Sequence, residues 1–389
     1  MKILFLSDVY FPRVNGVSTS IETFREEFRK LGHTVHLIAP DYCAKSGDED
    51  GIMRVPARIL PFDPEDRLMK FSWVMCQLER LRDERYDLIH IQTPFVAHYL
   101  GLKLSRLLHI PCVETYHTFF EEYLHHYLPF LPKKLTCMAA RRFSRHQGNS
   151  VDGMIVPSHP MMEVLRNYGV TTLAEIIPTG LKAASFIPGN RAHFRDRYGI
   201  ADKRPVLLFV GRVAHEKNIG FLLQIVERVR QNIPDVLLLI AGEGPALKGL
   251  RQEVEKSGLT DNVMFIGYLE RHTQLNDCYS AADIFVFSSR TETQGLVLLE
   301  AMAQGIPLVS TAEMGTRDVL REEQGVWISQ EKVDEFSRKV IKMLHDAEAR
   351  IRLAAAGRQY AQSWSSARLA ERMLAFYQTV QQQNKQGRD

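Results

Sequence analysis

The sequence is short of several things, and each shortage removes a class of protein. Five cysteines among 389 residues, Cys43, Cys76, Cys112, Cys137 and Cys278, stand far apart with no C-x-x-C pair. That spread excludes a disulfide framework and favours reduced thiols in a cytosolic setting. No apolar run approaches the roughly 18 residues that a bilayer-spanning helix needs. The opening apolar run ends at Asp8, too early for a signal peptide. Charge of one sign is scarce as well: 49 Lys+Arg against 46 Asp+Glu leave +3, which removes nucleic acid as the default partner. The first strand-to-helix turn is not G-x-G-x-x-G, which weakens the case for a nicotinamide dehydrogenase. There is no repeat of solenoid period, and no low-complexity tract apart from a polar tail at 381–389.

What is present is a rhythm. Residues 3–6, 34–39, 88–91, 111–115 and 153–156 are apolar runs of strand length, separated by amphipathic stretches such as 20–31 and 96–108. Continuous rather than alternating hydrophobicity marks a parallel sheet buried on both faces, and the β-α rhythm marks a doubly wound fold. The rhythm restarts at 205–210, 236–241, 263–265, 284–287, 307–309 and 325–328, with helical segments at 219–230 and 295–304. An α/β protein of two Rossmann-like domains is predicted, spanning 1–183 and 184–364. Residues 365–389 form a C-terminal helix that returns to the first domain and frays in the polar tail. The join falls where Pro178, Gly180, Pro188 and Gly189 collect. Ligands of doubly wound sheets sit beyond the carboxyl ends of the strands, so two such domains facing across a cleft put the expected site there.

The candidate motifs lie at strand ends of this kind. In Asn15-Gly16-Val17-Ser18-Thr19-Ser20, Gly16 lets a phosphate approach outward-pointing backbone NH groups. The plainer use is a turn glycine, with Ser18 or Ser20 capping the helix. In Gly211-Arg212-Val213-Ala214-His215-Glu216-Lys217, two cations follow a buried strand. They suit a diphosphate, through charge neutralisation and bidentate donation; surface solvation is the bland role for Lys217. The run Thr291-Glu292-Thr293-Gln294-Gly295-Leu296-Val297-Leu298-Leu299-Glu300 sets Glu292 in a loop and Glu300 about two turns into a helix. Carboxylates accept hydrogen bonds from sugar and ribose hydroxyls, and the NH groups of Thr293, Gln294, Gly295 and Leu296 suit a phosphate. Two solvated glutamates are the alternative, an odd one for Glu300 between Leu299 and Ala301. His117 closes an apolar run, and with ten of the 14 histidines before residue 185 a structural role is the ordinary reading. Residues 123–151 hold no acid, while Lys133, Lys134, Arg141, Arg142 and Arg145 lie among aromatic and aliphatic residues. That mixture suits an anionic membrane surface, at about 1 kcal/mol per cation, or a core helix with one solvated face.

The segment Gly211–Lys217, the E-x7-E run Glu292–Glu300 and the following Ala301-Met302-Ala303-Gln304-Gly305-Ile306-Pro307 resemble the donor half of the GT-B retaining glycosyltransferases of glycosyltransferase family 4. Asn15-Gly16-Val17 and Leu31-Gly32-His33-Thr34-Val35 fit that family's opening unit, so the resemblance covers nearly the whole chain. It implies a nucleotide-diphosphate sugar as co-substrate, with no metal or other cofactor. It assigns Arg212 and Lys217 to the diphosphate, Glu292 to the transferred sugar's hydroxyls and Glu300 to the ribose. Gly16 and the backbone of Thr293, Gln294, Gly295 and Leu296 come near phosphate and sugar, and the loop Gly267-Tyr268-Leu269 contacts the base. It also turns His117 into a pocket residue that positions the sugar, its carbonyl steadying positive charge at the anomeric carbon. Retention by front-face departure and attack, and closure of the domains around the donor, belong to the same implication.

Tyr116-His117-Thr118, Glu121-Glu122-Tyr123, Val156-Pro157-Ser158 and Ile177-Pro178-Thr179-Gly180 are further similar to bacterial diacylglycerol α-glucosyltransferases. The expected activity is transfer of a hexose, from UDP-glucose by preference, to a lipid such as diacylglycerol at the cytoplasmic membrane face. A soluble or polyprenyl-linked saccharide acceptor in envelope polysaccharide or lipopolysaccharide synthesis is the alternative. A non-catalytic nucleotide-sugar binding module is the third reading.

Overall fold

The computed structural model describes residues 1–42, 51–60, 63–117, 133–270 and 274–386, without the side chains of 60, 63–66 and 133–135. Cys43, Thr118, Glu121, Glu122 and Tyr123 therefore lie outside the described residues, as do the side chains of Lys133 and Lys134. The chain divides into two compact units, Met1–Gly180 with Ser366–Asp389, and Leu181–Ser365. Cys76, Cys112, Cys137 and Cys278 are free thiols. Among the described residues no helix is long and apolar enough to cross a membrane.

The strands of the first unit are β1 (Lys2–Leu6), β2 (Thr34–Pro40), β3 (Ile52–Val55), β4 (Ala57–Leu60), β5 (Asp63–Met69), β6 (Leu88–Ile91), β7 (Cys112–Thr115), β8 (Gly153–Val156) and β9 (Ala174–Ile176). Seven of them form one sheet in the order β3-β2-β1-β6-β7-β8-β9, while β4 and β5 pair separately as an antiparallel hairpin. All pairings within the seven are parallel. Successive residues of β1 face opposite sides of the sheet, and both sides are covered. Ile3 and Phe5 enter a core with Phe24, Phe28 and Tyr377, whereas Leu4 and Leu6 enter one with Ile89, Leu100 and Leu104. Each such side chain contributes about 1.5–3 kcal/mol by leaving water, which is why the strand is apolar without interruption.

The terminal helix, Ser366–Gln386, closes the first of these cores. Glycine at 153 permits its approach: an added Cβ would lie 2.7 Å from Val380 Cγ2 and 3.1 Å from Phe376 Cζ. Tyr377 shares a hydrogen bond with buried His90 (Oη to Nδ1, 2.5 Å). The helix runs on into the polar tail because its side chains find partners there. Gln381 Nε2 donates to the Asp87 carbonyl at 3.0 Å, and Asn384 Nδ2 to Asp152 Oδ1 at 3.0 Å.

The second unit carries β10 (Val206–Val210), β11 (Leu237–Ala241), β12 (Val263–Gly267), β13 (Ile284–Phe287), β14 (Leu308–Ser310) and β15 (Val326–Ile328). They form a six-stranded parallel sheet in the order β12-β11-β10-β13-β14-β15. Phe209 and Phe287 stack across it at 5.8 Å. Both sheets reverse direction once, between β1 and β6 in the first unit and between β10 and β13 in the second. The carboxyl end of a doubly wound sheet opens to ligands at that reversal.

Candidate functional site

At the reversal of the second sheet, the loop leaving β10 and the loop leaving β13 are stitched together. Asn218 adopts a left-handed conformation (φ 55°), which asparagine tolerates, and ends the 3-10 turn His215–Lys217. Its Nδ2 donates to the Ser288 carbonyl at 3.3 Å, and Ser288 Oγ donates to the Asn218 carbonyl at 3.1 Å. Ser289 Oγ donates to the Glu216 carbonyl at 3.3 Å. These bonds bring Lys217 and Glu292 together: Lys217 Nζ donates to Glu292 Oε1, and both side chains are mostly buried. A partly desolvated ion pair costs little while both partners remain, and much when one is removed.

Arg212 follows β10 directly, half-buried, in a loop held by the turn after β11. Val213 NH donates to the Glu243 carbonyl at 2.8 Å, and Gly242 NH to the Gly267 carbonyl at 2.8 Å. Three strand ends are thus tied, and glycine at 242 is required: an added Cβ would lie 1.9 Å from the Gly211 carbonyl oxygen. This turn, Gly242-Glu243-Gly244, was not among the sequence candidates. Its signal was a G-x-G directly after a fully buried strand.

The helix Leu296–Ala303 starts from Gly295, whose φ of 89° strongly favours glycine. Thr293 and Gln294 lie in the loop before it, anchored where Gly315 NH donates to the Glu292 carbonyl at 2.8 Å. Glu300 is buried at 6% exposure, and its Oε2 accepts from Tyr279 Oη at 2.9 Å. The solvated-glutamate reading of Glu300 is thereby removed.

The reversal of the first sheet is built differently. Asp8, just past β1, is buried; its Oδ2 accepts from Thr93 Oγ1 at 2.8 Å and its Oδ1 from the Ala97 NH at 3.1 Å. It thereby caps the helix Val96–Leu108 from another strand end. Burial raises its pKa to about 7, against the pull of these hydrogen bonds. Beside it, Gln92 Oε1 lies 3.1 Å from His117 Nε2, and burial lowers the His117 pKa to about 4. The imidazole is therefore neutral at pH 7 and a weak base.

Gly16 opens the helix Gly16–Lys30, but neither Ser18 nor Ser20 caps it. The cap is Asn15, whose Oδ1 accepts from the Ser18 NH at 2.8 Å, because Asn15 occupies the extended position just before the first turn. A Cβ added at Gly16 would meet nothing within 4 Å, so the first unit's own packing does not explain the glycine. On the helix Lys133–Gly148, Met138, Arg141, Arg142 and Arg145 are exposed along one face, and the Arg141 guanidinium lies 5.6 Å from the Tyr168 ring. Among the described residues no group of three His, Cys, Asp or Glu side chains could hold a metal ion.

Family comparison decides what this arrangement belongs to. The family profile described as Glycosyltransferase Family 4 matches residues 14–184, and that of Glycosyl transferases group 1 matches residues 190–360. The alpha-monoglucosyldiacylglycerol synthase of Streptococcus pneumoniae is 34% identical over 320 residues, covering 80% of this chain and 71% of the relative. The chain belongs to glycosyltransferase family 4. The GDP-mannose-dependent alpha-mannosyltransferase of Mycobacterium tuberculosis is 28% identical over 394 residues, covering 98% of this chain and 97% of that one. The crystal structure of Anabaena Alr3699/HepE in complex with UDP-glucose superposes with a TM-score of 0.74 at 17% identity, over 97% of this chain and 100% of the other. The fold of this glycosyltransferase is thus GT-B. Its second unit carries Arg212, Lys217, Gly267, Glu292, Thr293, Gln294, Gly295, Leu296 and Glu300, and its first unit carries Gly16, His117 and the basic helix.

Proposed function

We propose that the protein is a retaining glycosyltransferase that moves glucose from UDP-glucose to the hydroxyl of a diacylglycerol-type lipid on an anionic membrane surface. The observation that carries this reading is the reversal of the second sheet, where a cation and a carboxylate are already paired, the cation on the loop that also carries Arg212 and the carboxylate just ahead of a glycine-led helix. A departing nucleoside diphosphate gains negative charge while the anomeric carbon becomes positive. Lys217, Arg212 and the NH groups ahead of the helix Leu296–Ala303 oppose the first change by fixed electrostatics, with no metal required. When the donor enters, Lys217 turns to phosphate and Glu292 to the sugar hydroxyls, so the ion pair is exchanged for one ionic contact and hydrogen bonds from neutral hydroxyls. Glu300 accepts from the ribose. Neutral His117 positions the sugar through a hydrogen bond and is too weak a base at pH 7 to deprotonate the acceptor. That proton goes to the leaving phosphate.

The lipid acceptor is supported by the activity named for the Streptococcus relative and by the exposed cationic face with Met138 on the helix Lys133–Gly148. A mannosyl donor is the second reading, favoured by the mycobacterial relative that matches almost end to end. The test is a screen of UDP-glucose, UDP-galactose and GDP-mannose against diacylglycerol vesicles and soluble glycans, with EDTA present and the product linkage read by NMR. An α-glucosyl lipid from UDP-glucose is expected. Transfer only to a soluble saccharide, turnover only with GDP-mannose, or donor binding without transfer overturns the reading.

A further inference from the structure

We propose that the exposed face of the helix Val96–Leu108 is a second membrane-docking surface, whose aromatic end inserts into an anionic bilayer beside the basic helix Lys133–Gly148. The inference rests on the proposed function, in which the acceptor is a lipid on such a surface.

This helix buries Ala97, Leu100 and Leu104 in the first unit. Phe95, just before it, and Tyr99, Lys103 and Arg106 recur at intervals of three or four residues that put them on one face, and all four are exposed. Phe95 is 44% exposed and Tyr99 49%, so two aromatic rings stand in water one helical turn apart. At a membrane interface the rings leave water while the phenol tip stays wet. Neither Lys103 nor Arg106 has an ion-pair partner among the described residues. Their long stems let both charges reach lipid headgroups while the aromatic end lies deeper.

Charge complementarity selects the occupant. Residues 88–113 contain no acid, and neither do residues 123–151, which include the basic helix. The helix Gly16–Lys30, packed on the other side of the sheet through Phe24 and Phe28, carries Glu22, Glu26 and Glu27. Cations without acids are what an anionic lipid surface attracts. The two acid-free helices are also joined: Gln147 Nε2, in the last turn of the basic helix, donates to the Pro94 carbonyl at 2.5 Å, next to Phe95. Phe95 in turn lies between Thr93 and Ala97, both of which hold Asp8 at the reversal of the first sheet. Insertion of the aromatic end brings the bilayer to that reversal, where a lipid alcohol arrives without crossing water.

The experiment is sedimentation of the full chain with phosphatidylcholine vesicles, plain or mixed with phosphatidylglycerol, at low and high salt. Wild type is compared with three double variants: Phe95→Ser with Tyr99→Ser, Lys103→Gln with Arg106→Gln, and Arg141→Gln with Arg142→Gln. Melting temperatures control for folding and should not move, since all six side chains are exposed. On anionic vesicles, loss of the aromatic pair should weaken binding by about thirtyfold and leave a remainder that high salt abolishes. Each lost cation should cost about fivefold. Brominated acyl chains should quench the fluorescence that Tyr99→Trp adds. Losses confined to the Arg141 and Arg142 pair, or added fluorescence that stays unquenched in bound protein, overturn the inference and leave the proposed function standing. Aromatic substitutions that dissociate a wild-type dimer, with vesicle binding unchanged, assign the face to a second copy of the chain and overturn it equally. No binding of wild type to either vesicle removes the membrane part of the proposed function and the inference with it.

Discussion

Two sheets of the same parallel, singly reversed topology meet their reversals with opposite chemistry. In the first unit the described groups at the crossing carry less fixed charge at neutral pH: burial holds His117 neutral and raises the pKa of Asp8, which caps a helix, to about 7, so that its carboxyl is only partly ionised. In the second unit the crossing is ionic, with Lys217 bonded to Glu292 and Arg212 earlier in the loop that carries Lys217. The topology decides where loops converge, and the residues in those loops decide what is received there. Fixed charges suit a diphosphate. A neutral, hydrogen-bonded crossing suits alcohols and sugar hydroxyls, which gain little from net charge.

The contrast can be broken first through the backbone. Gly242→Ala puts a methyl 1.9 Å from the Gly211 carbonyl oxygen and should destabilise the protein by about 3 kcal/mol or more. Gly16→Ala adds a methyl to open space and should change stability by less than about 0.5 kcal/mol. Urea midpoints measured side by side check this, and equal losses would remove the claim that packing requires glycine at 242 but not at 16.

The next effect is on ligand affinity. Lys217→Ala leaves Glu292 unpaired and removes a phosphate partner, so donor affinity should fall by about fiftyfold. His117→Ala should leave donor affinity within about threefold and act on turnover instead. Calorimetry with steady-state rates checks both, and matching affinity losses would merge the two roles.

The pH dependence of stability sharpens the comparison further. Asp8 binds its proton more tightly folded than unfolded, between its ordinary 3.8 and about 7. Its stabilising contribution is therefore complete below that window and lost as pH rises through it. His117 has the opposite sign, contributing above its ordinary 6.5 and losing that contribution as pH falls toward about 4. Relative to wild type, Asp8→Asn should accordingly gain stability between pH 4 and 7, on the order of 4 kcal/mol in all. A pH-independent difference would show that Asp8 stays ionised throughout. The smallest effect is at the membrane. Replacing Arg141, Arg142 or Arg145 singly by Gln should weaken binding to anionic vesicles about fivefold each, at about 1 kcal/mol per cation, and sedimentation that is indifferent to all three would retire the basic face as a docking surface.

Much of this was legible in the chain. The run 284–287 is β13 residue for residue, and 3–6 lies inside β1, because a strand buried on both faces must be apolar throughout. Strand β9 went unread: its three residues are only half-buried at the sheet edge and carry no such run. The hairpin β4–β5, with Arg58 and Arg67 among its residues, was equally silent. Gly295 and Lys217 were legible because a turn glycine and a cation after a buried strand are local signals. Local pattern does not single out Asn15 as the cap, because Asn15, Ser18 and Ser20 are all suitable capping residues within six positions.

Composition and local pattern thus determined the two parallel sheets, the order of their strands in the chain, and the residue types gathered at strand ends, since burial and turn chemistry act on neighbouring positions. The pairing of Lys217 with Glu292, the cap that Asp8 places on a distant helix, the docking of the polar tail and the phenol behind Glu300 were decided by tertiary structure alone. Each joins groups far apart in the chain, and only the sheet's strand order brings such groups within hydrogen-bond reach.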